Sequence, residues 1–449
     1  MQLRDALDDF KESSGDTTRF PGERRTISGR FSGDGRRLVH VDAGDLRDFG
    51  YPLSGLTGIE RSRFGLRIDG TPFWLDEMNS VQRYHESTTL IETTHETPFG
   101  PVTQLDLTVG DAHVTRFDTA DADFGGSHAE LIAYVSLAPE GQDSQVGQLH
   151  HEDVIEVYHQ REHDFVSSST GFSGIRGQIP VAFEDLLDEE PTEYPRPASD
   201  HRYSEDRLSG DLICSLPLEA GATTLITMLT DWSEVDRKEV LDRLAELREE
   251  FVDREAFEAA ATAADLVGER RGGSELLRES VSADVRVLSL LRGETGLRIA
   301  GPNFDPYYRY SGGYGYTWFR DDAEISRFVF EADDHFNLGL EAWHAESARA
   351  YCETQREDGS WPHRVWPHNG ELAPGWANAK LEAGSDDDYQ ADQTGSVIAF
   401  LATYYADGID DPDLEAEVVD TLETALDSLD GTLEADGRPM VCQNAWEDA

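Results

Sequence analysis

The sequence predicts a multidomain protein with an N-terminal antiparallel β-sandwich, a helical linker and a C-terminal helical domain. The chain has 449 residues, enough for two or three domains and a large core. Strand patterns bounded by turn residues run from about residue 24 to residue 230, and helical periodicity begins at about residue 231. We therefore expect the three parts to cover residues 1–232, 233–272 and 273–449.

Short strands with turn signals between them fill the N-terminal part. The Asp69-Gly70 dipeptide separates two alternating runs and predicts a hairpin, and the PFGP segment at 98–101 separates two more strands. Three further strand patterns follow before residue 232. The segment from about 185 to 205 is rich in Pro, Glu and Asp and predicts an exposed loop. Few helical periods interrupt this region, which favours a sandwich.

The linker is predicted from apolar residues spaced three and four apart after residue 231, with Ser233 as its expected N-cap. Its charged faces indicate that it packs on one side only. Gly272-Gly273 ends the pattern, and Ser274 is the expected cap of the next helix.

The C-terminal part alternates predicted helix pairs with long loops rich in Gly, Trp and Pro. The first pair covers 322–334 and 336–358, and the second covers 391–407 and 412–430. A plain helical bundle usually has shorter connections. The pattern therefore favours an α/α toroid whose functional site is built from loops on one face.

The charge is strongly acidic, with 90 Asp and Glu residues against 38 Lys and Arg, for a net charge of −52. The excess is spread over nearly every segment, and hydrophobic residues still make up 38% of the chain, which excludes a disordered polyanion. Such a surface is expected of a halophilic protein kept soluble in concentrated salt, where self-repulsion is screened. Nucleic-acid binding is disfavoured because no basic face is visible.

The first 20 residues are charged and lack the apolar run of a signal peptide, and no run is long enough to span a bilayer. These features predict a cytoplasmic protein without a membrane segment. Cys214, Cys352 and Cys442 are scattered and lack C-x-x-C spacing. Buried or half-buried free thiols are therefore expected, rather than disulfides or a zinc site.

The segment 314–322, YGYTWFRDD, concentrates more chemistry than any other. Aromatic faces such as those of Tyr314 and Trp318 bind the apolar faces of sugar rings. A fixed guanidinium beside a carboxylate, here Arg320 and Asp321, grips adjacent hydroxyls with charge-assisted hydrogen bonds. The alternative is a buried aromatic turn with a structural ion pair.

Four segments, in order, resemble the glucoamylase-like family of inverting α-glycosidases, glycoside hydrolase family 15. This family includes glucoamylases, glucodextranases and some trehalases. The segments are YGYTWFRDDA at 314–323, QREDGSWPHRV at 355–365, YQADQTGSVI at 389–398 and AWED at 445–448. The resemblance implies that the helical domain is an (α/α)6 barrel, only partly covered by this chain.

The resemblance also implies roles for the residues of the first segment. Arg320 and Asp321 would hold hydroxyls of the terminal sugar in subsite −1. Trp318 would form part of the same wall, and Tyr314 would lie near the developing oxocarbenium ion. Aromatic π-density stabilises such a cation, and distortion of the sugar requires firm contacts with remote hydroxyls.

In the last segment, the resemblance assigns the general acid to Glu447. An acid must be protonated at working pH, and the apolar neighbour Trp446 is suited to raising its pKa. Asp448 matches a family residue that contacts sugar hydroxyls. Asn444 departs from the family, which often has Asp two residues before the Trp.

The two middle segments leave alternatives open. Trp361 is either a substrate contact or a loop anchor packed on the domain. Asp392 is either near the site or only a residue favoured in the first turn of a helix. His363 and His368 flank Pro-rich turns and have no third ligand nearby, so solvated loop histidines are expected and no metal is predicted.

The expected activity is hydrolysis of terminal α-glucosidic bonds of oligo- or polysaccharides with inversion, releasing β-glucose and needing no cofactor. A trehalase of the same family is the first alternative. In the family the general base lies far downstream, and this chain ends directly after the expected acid. We therefore expect a fragment of a longer enzyme, and the second alternative is a non-catalytic sugar-binding fragment that lacks the base.

Overall fold

The structure of the protein is a computed structural model, and it describes residues 29–142, 144–177, 187, 208–218, 221–264, 275–302, 314–373 and 391–438. The chain divides into two compact units whose main parts are Thr26–Asp265 and Leu266–Ala449. We call them the β unit and the helical unit. The expected loop at 185–205, apart from residue 187, and the expected cap Ser274 lie outside the described residues.

The β unit is built from short strands connected mainly by tight turns. The strands are β1 Arg30–Gly33, β2 Leu38–Asp42, β3 Asp45–Asp48, β4 Ile59–Ile68, β5 Thr71–Trp74, β6 Asn79–Tyr84, β7 Ile91–Thr97, β8 Gly100–Val109, β9 Ala112–Asp118, β10 Ala129–Leu137, β11 Ser144–His151, β12 Val154–His159, β13 Glu162–Ser168, β14 Gly174–Arg176, β15 Leu208–Ser209, β16 Asp211–Pro217 and β17 Ala222–Asp231. The helices are α1 Tyr51–Ser54, α2 Arg237–Glu250 and α3 Arg254–Ala263, with 3-10 turns at Leu75–Glu77 and Pro139–Gly141.

The strands form antiparallel sheets. One has five strands in the order β14-β16-β10-β4-β5, one has nine in the order β15-β11-β12-β13-β17-β9-β8-β7-β6, and β1-β2-β3 form a third. Both predicted hairpins are confirmed. Asp69 and Gly70 adopt φ angles of 45° and 85°, as a type I′ turn requires, and they connect the β4–β5 pair. The PFGP segment turns β7 into β8.

The five- and nine-stranded sheets share one hydrophobic core. Phe64 and Leu131 come from the first sheet, and Phe117 and Val166 come from the second. On its other face the nine-stranded sheet is covered by α2 and α3, which bury residues such as Leu244. The predicted N-terminal antiparallel β-structure is thus confirmed, and burial of apolar side chains on both faces of the larger sheet stabilises it.

The predicted N-cap of the first linker helix is wrong. Asp236, not Ser233, caps α2, and it forms a capping box with Glu239. The Ser233 hydroxyl is engaged with Asp231, to which it donates, whereas the Asp236 side chain accepts from the backbone N–H of Glu239.

In the described part of the helical unit, four long helices follow α4 Glu275–Leu290. They are α5 Phe319–Phe336, α6 Glu341–Thr354, α7 Ala391–Asp407 and α8 Pro412–Gly431, with a two-stranded ribbon of β18 Thr317–Trp318 and β19 Arg364–Val365. One core joins them, and it includes Phe319, Tyr351, Trp361, Phe400 and Val418. The predicted helical character of this part is confirmed.

Two further observations concern expectations about membranes and thiols. In the described part of the chain, none of the helices combines the length and apolarity needed to cross a membrane. Cys214 is a buried free thiol and Cys352 a half-buried one, as predicted. Cys442 lies outside the described residues.

Candidate functional site

The candidate site begins where the two-stranded ribbon enters α5. Thr317 pairs with Val365 and Trp318 pairs with Arg364, so the ribbon fixes the direction of the chain before the helix starts at Phe319. Arg320 and Asp321 therefore lie in the first turn of α5. An acidic side chain is favoured there by the helix dipole.

Arg320 lies between two carboxylates. Its Nη1 is 3.1 Å from Asp392 Oδ2, and its Nη2 is 3.4 Å from Asp321 Oδ2. The three side chains are 25%, 33% and 56% exposed, respectively. Ion pairs this exposed contribute little to stability because water screens them. The two ion pairs do, however, hold the Arg320 guanidinium in one position that solvent can reach.

Asp392 is brought to Arg320 by the start of α7, 72 residues further along the chain. Its Oδ2 accepts the hydrogen bond from Arg320, whereas its Oδ1 is buried and has no hydrogen-bond partner among the described residues. A carboxylate oxygen in this situation can accept a hydrogen bond from water or from a hydroxyl.

Trp318 lies two residues before Arg320, at the end of β18, and we call its side chain the Trp318 wall. The residue is 9% exposed. The His363 ring meets it edge-on, with ring centroids 4.7 Å apart, and the guanidinium carbon of Arg364 lies 5.6 Å from its centroid. Both neighbours come from the loop around β19, and the cation–π contact favours this placement.

Two tyrosines of the same segment differ in their surroundings. Tyr316 is fully buried and packs against Trp366, with centroids 5.1 Å apart. Tyr314 is 52% exposed, and its carbonyl accepts a backbone hydrogen bond from Gly301. Tyr314 is thus an accessible aromatic surface at the start of the segment, while Tyr316 anchors the segment in the core.

Trp361 is fully buried. Its indole Nε1 donates to the carbonyl of Tyr351, at 2.8 Å, and its backbone N–H donates to Thr394 Oγ1, at 3.4 Å. The expectation of a solvated His363 is wrong, because that side chain is only 5% exposed. A Pro-rich neighbourhood indicated a surface loop, but pairing of β19 with β18 draws this loop inward.

A buried ion pair lies next to the site, between Arg298 and the residue that follows Asp321, and the sequence did not predict it. Arg298 Nη1 is 2.9 Å from Asp322 Oδ1, and Tyr351 donates its hydroxyl to Asp322 Oδ2 at 2.7 Å. Ser326 contacts both Arg298 and Tyr351. Burial raises the pKa of Asp322, and the adjacent Arg298 opposes that rise. The signal for this pair in the sequence was Asp322 itself, a charged residue directly after Arg320-Asp321 on a helix with a buried face.

The remaining predicted site residues, Trp446, Glu447 and Asp448, lie outside the described residues. The geometry thus brings together Arg320 and Asp321 from α5 and Asp392 from α7, and Trp318 at the end of β18 lies two residues before Arg320. Among the residues that the structure describes, no group of three His, Cys, Asp or Glu side chains is suited to holding a metal ion.

Comparison with solved structures gives matches of unequal strength. A bacterial glucoamylase complexed with acarbose matches with a TM-score of 0.65 and 12% identity, over 94% of this chain and 60% of that one. A family GH92 inverting mannosidase from Bacteroides thetaiotaomicron matches with a TM-score of 0.49 and 10% identity, over 92% and 55%. A putative kojibiose phosphorylase from the human microbiome gives 0.39 and 9%, over 91% and 56%.

At 12% identity the first of these matches establishes a glucoamylase-like fold: antiparallel β-sheets followed by a helical part. The chain spans only about three-fifths of that glucoamylase, so the likeness covers part of the larger protein. No curated protein matches the sequence.

A family model matches residues 1–240, which is more than half of the 449-residue chain. The matched region contains all of the strands β1–β17. The chain therefore belongs to the family described as "Domain of unknown function (DUF7997)".

Proposed function

We propose that the helical unit binds the terminal sugar of an α-glucan or oligosaccharide, and that the protein hydrolyses the terminal α-glucosidic bond with inversion. The observation that carries this proposal is Arg320, held between Asp321 and Asp392 beside the Trp318 wall. The likeness of the fold to a glucoamylase supports it.

The chemistry of this group suits a sugar ring. Vicinal hydroxyls both donate and accept hydrogen bonds, so they need acceptors and donors fixed side by side. Arg320 supplies donors, and the Asp321 carboxylate, whose side chain is 56% exposed, supplies acceptors. Trp318 and the exposed Tyr314 supply aromatic surface for the apolar face of the ring.

For the catalytic step we propose Glu447 as the general acid, with Trp446 raising its pKa and Asp448 contacting sugar hydroxyls. An inverting enzyme also needs a base roughly 6.5–9.5 Å from the acid, with a water between the base and the anomeric carbon. We propose that the helices belong to an (α/α)6 barrel in which these groups meet. The base is not assigned to a residue of this chain.

The test is incubation of the protein in concentrated KCl with maltotriose, isomaltotriose and trehalose, followed by NMR of the first glucose released. Release of β-glucose from maltotriose or isomaltotriose, abolished by Glu447→Gln, is the expected result. Release from trehalose alone would instead indicate the trehalase alternative. Binding without release from any of the three would indicate a non-catalytic sugar-binding protein, and neither binding nor release would overturn the proposal.

A further inference from the structure

Gln393 lies next to Asp392 in the first turn of α7 and is fully buried. Its side-chain Nε2 donates to the carbonyl of Trp361, at 3.2 Å. The following residue, Thr394, accepts from the N–H of the same Trp361. The start of α7 therefore binds both polar backbone groups of one loop residue.

Trp361 is in turn fixed to α6. Its ring is fully buried, and Nε1 donates to the carbonyl of Tyr351. The loop is thus held between α6 on one side and the start of α7 on the other. Two residues later the same loop carries His363, whose ring packs against Trp318.

We call the contacts of Gln393 and Thr394 with Trp361 the clamp. The clamp connects the two halves of the candidate site. On one side, Gln393 is covalently adjacent to Asp392, the acceptor for Arg320. On the other side, Trp361 leads directly to the residues that pack on Trp318. A shift of α7 relative to the loop would move Asp392 relative to both Arg320 and the Trp318 wall.

We infer that Gln393 is a positioning residue: its amide holds the start of α7 on Trp361, so that Asp392 stays aligned with Arg320. This inference rests on the proposed function for its effect on sugar binding. Gln393 acts through Asp392, and its loss is expected to weaken sugar binding without unfolding the helical unit. The same contacts assign Trp361 to the clamp rather than to the sugar-contacting surface.

The chain offers a matched control. Gln355, at the opposite end of the same loop, is also a glutamine whose Nε2 donates to backbone carbonyls, those of Gly359 at 3.1 Å and Thr421 at 2.9 Å. Gln355 thus connects the loop to α8, and neither of these two bonds involves Asp392. Gln393→Leu removes one hydrogen bond to a backbone carbonyl and Gln355→Leu removes two, but only Gln393→Leu affects the start of α7.

The experiment measures maltotriose binding by calorimetry for the wild type, Gln393→Leu and Gln355→Leu, at one KCl concentration. We expect Gln393→Leu to bind roughly tenfold more weakly and Gln355→Leu to bind like the wild type. A third variant, Gln393→Glu, keeps the shape but can donate to the carbonyl only when protonated. Its binding defect should therefore grow as the pH rises from about 5 to about 9.

Hydrogen exchange at residues 391–395 and 317–321 gives a second readout that needs no ligand. Faster exchange at both segments in Gln393→Leu, but not in Gln355→Leu, supports the inference. Equal effects of the two leucine variants, or no effect of Gln393→Leu on binding and exchange, overturns it. A wild type that binds no maltotriose overturns the proposed function, and the exchange result then decides the positioning of Asp392 by itself.

Discussion

Asp322, which directly follows Asp321 in α5, forms a buried ion pair with Arg298. Removing the charge of Asp322 should lower the free energy of unfolding by a predictable amount. Both Asp322 and Arg298 are 3% exposed, and Asp322 accepts hydrogen bonds from Arg298 and from Tyr351. Asp322→Asn keeps the shape of the side chain and removes its charge. The guanidinium of Arg298 then stays buried without a counter-ion.

Breaking one partner of a buried pair typically costs about 3–5 kcal/mol. We expect the lower end, about 3 kcal/mol, because burial raises the pKa of Asp322 and so already reduces the stability of its charged form. At roughly 2–4 °C per kcal/mol for a unit of this size, the unfolding midpoint should fall by about 6–12 °C. Replacing both partners, with Arg298→Met and Asp322→Leu, should recover most of that loss because no unpaired charge remains.

Tryptophan fluorescence is the suitable probe, in a denaturant titration for the free energy of unfolding and in a heating scan for the midpoint. Six of the eight tryptophans, at 318, 343, 361, 366, 376 and 446, belong to the helical unit. A loss below about 1 kcal/mol in Asp322→Asn would refute the reasoning. So would a double variant that is no more stable than Asp322→Asn, since the cost would then not come from an uncompensated charge.

Three more predictions concern the β unit. Burial raises the pKa of Glu162 to about 8. Because the folded-state pKa exceeds the unfolded one, the stability that protonation provides is lost as pH rises, and the free energy of unfolding should fall more steeply between about pH 5 and pH 8 in the wild type than in Glu162→Gln. A Cβ at Gly147 would overlap the ring of Tyr158, so Gly147→Ala should lower the free energy of unfolding by about 1–3 kcal/mol in a urea titration, and an unchanged midpoint would contradict the packing. Burial raises the pKa of Cys214 to about 12, so mass spectrometry should find this thiol alkylated by iodoacetamide only after unfolding, and alkylation of the native protein would contradict its burial.

Local patterns were sufficient for much of the fold. The Asp69-Gly70 turn needs positive φ at two successive residues, and that preference is readable from the dipeptide itself. The helix at 391–407 has the bounds that its apolar spacing predicted. By contrast, Ser233 and Asp236 are both good caps, and only the contacts with neighbouring side chains decide between them.

Contacts between distant segments could not be read from local patterns. His363 is buried because β19 pairs with β18, across a sequence separation that no turn signal reveals. The Arg298–Asp322 pair joins a loop to a helix 24 residues away. Arg320 and Asp321 were singled out from the sequence, but the approach of Asp392, 72 residues later, depends on how α5 and α7 pack.

The central claim is that Arg320 binds a sugar, and calorimetry with maltotriose tests it most directly. Arg320→Met keeps the apolar stem and removes the guanidinium. Arg349→Met is the matched control, because Arg349 forms a half-exposed ion pair with Asp411 in the same unit, 2.6 Å from Nη2 to Oδ2. We expect Arg320→Met to weaken binding about 10- to 150-fold, as the loss of a charge-assisted hydrogen bond implies, and Arg349→Met to leave it unchanged. A wild type that binds no maltotriose, or equal affinity of the two variants, would contradict the claim.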